Sequence, residues 1–196
     1  MPQPDPHGAS AGNVLNNQLS YLSFGLTWLL GYAVFALAHG DDPRLPLPSA
    51  VPIVLLAGGL LTAVTITVVI STRAQRGARG HAAVIGNLLS GSWLVGFAAL
   101  FLIITALSTA LDEPLVHTLL WPTGAGLVVG LLYLTGGVAH RDVLQYTLGA
   151  WLAVTSSAAL FLDGANLYWM LASAGGGAYL AAAALEPRRR RFSAWR

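Results

Sequence analysis

The stretch VPIVLLAGGLLTAVTITVVIS at positions 51–71, followed by TRAQRGARGHA at 72–82, decides the fold. A helix needs roughly 20 apolar residues to cross the hydrocarbon core of a bilayer, and this run has that length without one charge. The segment after it carries Arg73, Arg76 and Arg79 and no acid. An apolar run closed by a cationic loop reads as a transmembrane helix whose C-terminal end faces the cytoplasm. Five further apolar stretches lie at 21–38, 83–107, 116–138, 143–162 and 167–185. Backbone groups in lipid must be satisfied within their own element, so the stretches predict helices. The alternating pattern of a membrane barrel is absent. The fold class predicted is an all-α integral membrane protein, a six-helix transmembrane bundle. Its domains are a polar N-terminal tail at 1–20, the bundle at 21–185 and an Arg-rich tail at 186–196.

Composition supports this. Of 196 residues, 55% are hydrophobic and 9% charged, against about 25% charged in a soluble domain. The apolar content also excludes disorder. With no cysteine, disulfide scaffolds, thiolate zinc sites, iron–sulfur clusters and cysteine nucleophiles drop out. All ten cations are Arg, and the net charge is only +2. A nucleic-acid binder would present a basic stripe interleaved with aromatics, so no nucleic-acid partner is expected. The first twelve residues lack the cationic and apolar segments of a signal peptide.

The loops set the orientation. Nine of the ten Arg fall in alternate connections: Arg73, Arg76 and Arg79 after the second stretch, Arg141 after the fourth, and Arg188 to Arg191 and Arg196 after the sixth. The opposite connections hold Asp41, Asp42, Asp112, Glu113 and Asp163 with the single Arg44. The positive-inside rule then predicts both termini in the cytoplasm and a multi-pass protein of the inner, cytoplasmic membrane.

Inside the stretches the chemistry is mild. No Asp, Glu or Arg falls at mid-membrane, which argues against a buried-carboxylate ion pump and against voltage sensing. Asn87, Ser90 and Gly91 share one face of the third helix by i, i+3, i+4 spacing. That stripe lines a pore or supplies interhelical hydrogen bonds, and alone it favours the second. Gln145 opens the fifth helix as a pore-lining or an interfacial residue. Trp151 lies too deep for an interfacial belt. Gly126 and Gly130 form a G-x-x-x-G, and Gly175 to Gly177 either pack helices closely or interrupt one. His39, His81, His117 and His140 sit at helix ends without metal-ligand spacing. No phosphate loop, nucleophile elbow or dinucleotide fingerprint occurs, so neither an enzyme nor a cofactor is expected.

Four segments resemble the acetate uptake transporter family, which includes bacterial acetate/succinate permeases and yeast ammonia-export/acetate proteins. FGLT at 24–27 is similar to the family's F-G-M-T, and SGSWL at 90–94 to its S-Y-G-S-F-W. RDVLQY at 141–146 is similar to R-V-L-Q-F, and GAYLA at 177–181 to the G-x-x-A-x-Y-L-A ending of the sixth helix. They occur in the family's order across 15–186. The family's N-P-A-P-L-G-L segment, aligned near 15–21, reads LNNQLSY here, without either Pro. The resemblance implies a hexameric ring in which each protomer holds its own pathway. It also implies a narrow apolar constriction, which maps to Phe24, Ser90 and Trp151. The expected cargo is a small monocarboxylate such as acetate, or a molecule as small as ammonia or urea. Two alternatives fit the same plan: the permease subunit of an ATPase-driven exporter, and a membrane scaffold that transports nothing.

Overall fold

The computed structural model describes residues 16–40, 43–75, 80–113 and 115–193. Asp41, Asp42, Arg76, Arg79, Arg196 and most of the N-terminal polar tail lie outside the described residues. Among those described every regular element is a helix. Its elements are α1 (Gln18–Ala38), α2 (Ala50–Gln75), α3 (His81–Leu111), α4 (Leu115–His140), α5 (Val143–Ala159), α6 (Ala165–Met170), a π-helical stretch (Leu171–Gly176) and α7 (Gly177–Ser193). Four helices are long and apolar enough to cross a membrane, over Gln18–Ala38, Ala50–Arg73, Ala83–Leu111 and Leu115–His140. The chain is therefore a helical, multi-pass membrane protein.

The last three elements form one rod. Met170 (φ −61°, ψ −49°) and Gly177 (φ −60°, ψ −40°) keep right-handed helical angles on either side of the π stretch. The glycines at 175–177 therefore widen a helix and do not break it. The rod also continues past residue 185, the expected end of the bundle, through Pro187 to Ser193. The described part of the Arg-rich tail, 186–193, is helical.

The α4–α5 connection shows how local sequence places elements. Arg141 adopts the left-handed conformation (φ 53°) just after α4. Its N–H reaches Val138 O (3.2 Å), and the Asp142 N–H reaches Gly137 O (2.8 Å). This is the double bond of a Schellman stop, with Arg where Gly is usual. Asp142 Oδ1 then accepts from Gln145 N (3.1 Å) and caps α5. Two residues thus reverse the chain, and α4 and α5 pack backbone to backbone. A Cβ on Gly130 would fall 2.5 Å from Ala153 N, and one on Gly149 2.5 Å from Leu134 N. The small-residue motif at 126–130 is packing within the protomer, as helices in lipid commonly use it.

Burial divides the molecule. α1 packs against α2 and against the whole last rod, α5 packs on that rod, and α4 pairs with α5. α2 rests chiefly on α1, and α3 chiefly on α4. The core lies around α1, where Tyr21, Phe24, Trp28, Tyr32 and Ala36 are buried with Tyr133, Leu152, Tyr168, Leu171 and Tyr179.

Candidate functional site: an aromatic column with buried charges at one end

The column begins with the spacing of α1. Tyr21, Phe24, Trp28, Tyr32 and Phe35 follow each other at three- and four-residue steps, which puts them on one helical face. Phe24 stacks on Tyr179 of α7 (ring centroids 5.6 Å apart, 20° between planes). Trp28 meets Tyr179 and Tyr32 edge-on at 5.7 and 5.4 Å. Tyr133 of α4 meets Tyr21 and Tyr179 edge-on. At the far end Tyr168 stacks on Phe35 (5.3 Å) and lies edge-on to His39. The interior along α1 is thus lined and filled by aromatic rings in the offset and edge-to-face geometries that such rings prefer.

Trp28 lies at the middle of α1 and is only 3% exposed. Two glycines make its slot. A Cβ on Gly175 would stand 2.7 Å from Trp28 Cε3, and one on Gly126 3.0 Å from Trp28 Cη2. Ser156 of α5 closes the slot beside Gly126, fully buried, and its hydroxyl has no hydrogen-bond partner. The wall at Gly175 is the π stretch itself. On its other side the Trp151 Nε1–H donates to Ala174 O (2.9 Å). The irregular turn is therefore held between two indoles, one inside and one outside. Short π segments in α-helices often mark functional sites.

Buried charges occupy the end of the column where α4 ends and α1 begins. Glu186 is fully buried, and its Oε1 accepts from Asn17 N (3.1 Å) at the start of α1. Arg189 donates from Nε to Glu186 Oε2 (2.8 Å) and from Nη1 to Asp142 Oδ2 (2.9 Å). One guanidinium so ties the last rod to the α4–α5 turn, while Glu186 ties the same rod to α1. The Glu186 hydrogen bond raises the affinity of Arg189 for its proton, burial opposes this, and the Asp142 charge adds to the rise. Arg189 stays charged at any working pH. The Ser20 and Tyr21 hydroxyls, buried in the first turn of α1, have no partner. Among the described residues no group of His, Asp or Glu could hold a metal ion.

The three constriction positions fall in different surroundings. Phe24 is in the column. Trp151 is 52% exposed on the outside of α5, touching the π stretch from behind. Ser90 is exposed on α3, and its hydroxyl donates to Gly86 O of its own helix (2.9 Å). Phe24 and Trp151 meet opposite sides of the last rod, and Ser90 stands apart from both. Asn87 and Gly91 share the exposed face with Ser90, and a Cβ on Gly91 would meet nothing within 4 Å. Gln145 is half-buried, with its amide close over Gly136 of α4. Sequence reasoning missed Trp28, Ser156 and the Asp142–Glu186–Arg189 cluster. The aromatic spacing on α1 was the available signal for the first. Nothing local announces the cluster, in which Asp142 precedes Glu186 by 44 residues and its ion-pair partner Arg189 by 47.

The chain matches no family model, no curated protein and no solved structure.

Proposed function

We propose that the chain is a six-span transporter or channel for a small solute, of which a small monocarboxylate such as acetate is the first candidate. In this reading α5 with its following turn, and the last rod, are the fifth and sixth spans. Both termini are cytoplasmic, and the membrane is the inner one of the cell. The passage runs along the face of α1 through each protomer, and the protomers form a homo-oligomer, a hexameric ring by the family resemblance. The protein is not an enzyme and carries no cofactor.

The observation that carries this reading is the Trp28 slot. A bulky ring sits at mid-depth between two glycines, against a helix that has left α geometry, beside a buried hydroxyl without a partner. A structure built only for packing has no need of that combination. A narrow path blocked by one movable ring does, and selectivity would follow from its diameter and the few dipoles that line it. The described conformation is the closed one, because the rings fill the column.

The test is uptake of labelled acetate into proteoliposomes of purified protein, with and without an imposed pH gradient. The reading expects uptake above empty vesicles, with a gradient dependence that separates coupled transport from a channel. It expects Trp28→Ala to raise passive leak. No uptake of acetate, ammonia or urea by demonstrably folded protein, with no leak through Trp28→Ala, overturns it.

A further inference from the structure

The outer surface of the α4–α5 pair carries a groove of about 470 Å3, lined by Leu134, Thr135, Val138, Ala139 and Tyr146. It lies in the last turns of α4 and the first turn of α5, just inside the Arg141–Asp142 reversal. Its walls are apolar in effect, since the Thr135 hydroxyl is spent on Leu131 O of its own helix (2.9 Å). Val138 and Tyr146 are 67% and 45% exposed, so the groove opens toward the surroundings of the bundle.

The rim of the groove is cationic. Arg141 follows Ala139 by two residues and is exposed. The Arg189–Asp142 ion pair brings the end of α7 to the same turn, and with it Arg188, Arg190 and Arg191. Arg188 and Arg191 are exposed, and the buried Nε of Arg190 has no hydrogen-bond partner. The two described acids at this end of the bundle, Asp142 and Glu186, are both engaged by Arg189. Among the described residues no further acid at this end compensates the remaining guanidinium charge.

We propose that this groove and its rim bind an anionic phospholipid, with an acyl chain along Leu134, Val138 and Ala139 and the phosphate against Arg141 and the arginines of α7. An apolar trough ending in clustered Arg at headgroup level has the two halves of that ligand in the right order. Polybasic segments beside membrane spans attract anionic lipid in the same way. A second copy of the chain is a poorer occupant, because it would bring its own arginines to the same level.

The experiment reconstitutes the full chain in phosphatidylcholine nanodiscs containing a minority of phosphatidylglycerol and counts retained lipid by native mass spectrometry. Three proteins are compared: wild type, Arg141→Asn, which tolerates the left-handed backbone, and Val138→Trp, which fills the groove from an exposed position. Thermal unfolding in pure phosphatidylcholine checks that each variant is folded. Wild type should retain phosphatidylglycerol over phosphatidylcholine. Arg141→Asn should weaken that retention about fivefold, the equivalent of ~1 kcal/mol for one Arg near a charged membrane surface. Val138→Trp should weaken it comparably with no change of charge. Equal retention by all three folded proteins overturns the proposal. So does a loss confined to Arg141→Asn, which would reduce the site to diffuse attraction by a basic surface.

Discussion

The long helices α2 and α3 (mean hydropathy 2.6 and 2.4) are more apolar in sequence than α1 and α4 (1.6 each), yet α1 and α4 are the more buried. Around α1 the residues are buried and specific: rings stack, glycines admit backbones, and the Glu186–Arg189 pair ties the last rod to α1 and to the α4–α5 turn. On α2 and α3 leucines and valines point outward almost all round, with Leu61 69%, Leu94 76% and Val95 68% exposed. In water the second pattern would mark an error or an interface. In lipid it is the resting state, because tails are as apolar as Leu and give no drive to bury it. Hydrophobicity therefore finds the helices in this protein and says nothing of which face is inside. Small residues, aromatics and paired charges say that.

The contrast predicts where substitution hurts. The largest effect belongs to Arg189→Ala, which leaves Asp142 and the fully buried Glu186 facing each other without a cation. Breaking a buried pair costs about 3–5 kcal/mol, and thermal unfolding in detergent should show a loss of that order. Removing all three charges together, as Asp142→Asn, Glu186→Gln and Arg189→Gln, should recover much of it. A triple variant as unstable as the single one would show that geometry, and not unpaired charge, matters there.

Next comes Gly130→Leu. It drives a side chain into the α5 backbone, and overpacking of this kind costs about 1–3 kcal/mol or more. Gly91→Leu makes the same chemical change on the open face of α3 and should cost less than about 0.5 kcal/mol. Trp151→Phe keeps a ring but loses the bond to Ala174 O, a loss of about 1 kcal/mol. It should also loosen the π stretch, seen as faster amide exchange at residues 171–176. Smallest is Ser90→Ala, whose hydroxyl serves only its own helix. Stability within about 0.5 kcal/mol of wild type is expected. A larger loss would show that the exposed α3 face is covered by a neighbour in the membrane.

Much of the architecture was legible. Charge-free runs between Arg-bearing and acid-bearing loops mark the helices, and the α4–α5 reversal falls at Arg141–Asp142 as the span ends imply. Two features escaped for physical reasons. The helix past residue 185 holds Pro187 and four consecutive Arg, which read as a tail because local propensity cannot foresee Arg189 reaching Asp142 across the bundle. Trp28 escaped because an indole at mid-helix has no sequence mark that tells which helices will close around it. The stripe at Asn87, Ser90 and Gly91 was correctly one face, but period alone cannot tell an inward face from an outward one.

In the proposed reading the passage is the interior at the Trp28 slot and not the outer face of α3. The natural chain has no cysteine, so single thiols can be placed at will. The decisive measurement compares Ser156→Cys with Ser90→Cys in proteoliposomes assayed for acetate uptake and treated with a small, water-soluble thiol reagent. Modification at position 156 should block uptake and be faster during turnover, and modification at position 90 should leave flux unchanged. Block at position 90 with an inert or harmless thiol at 156 would contradict it and move the passage to α3.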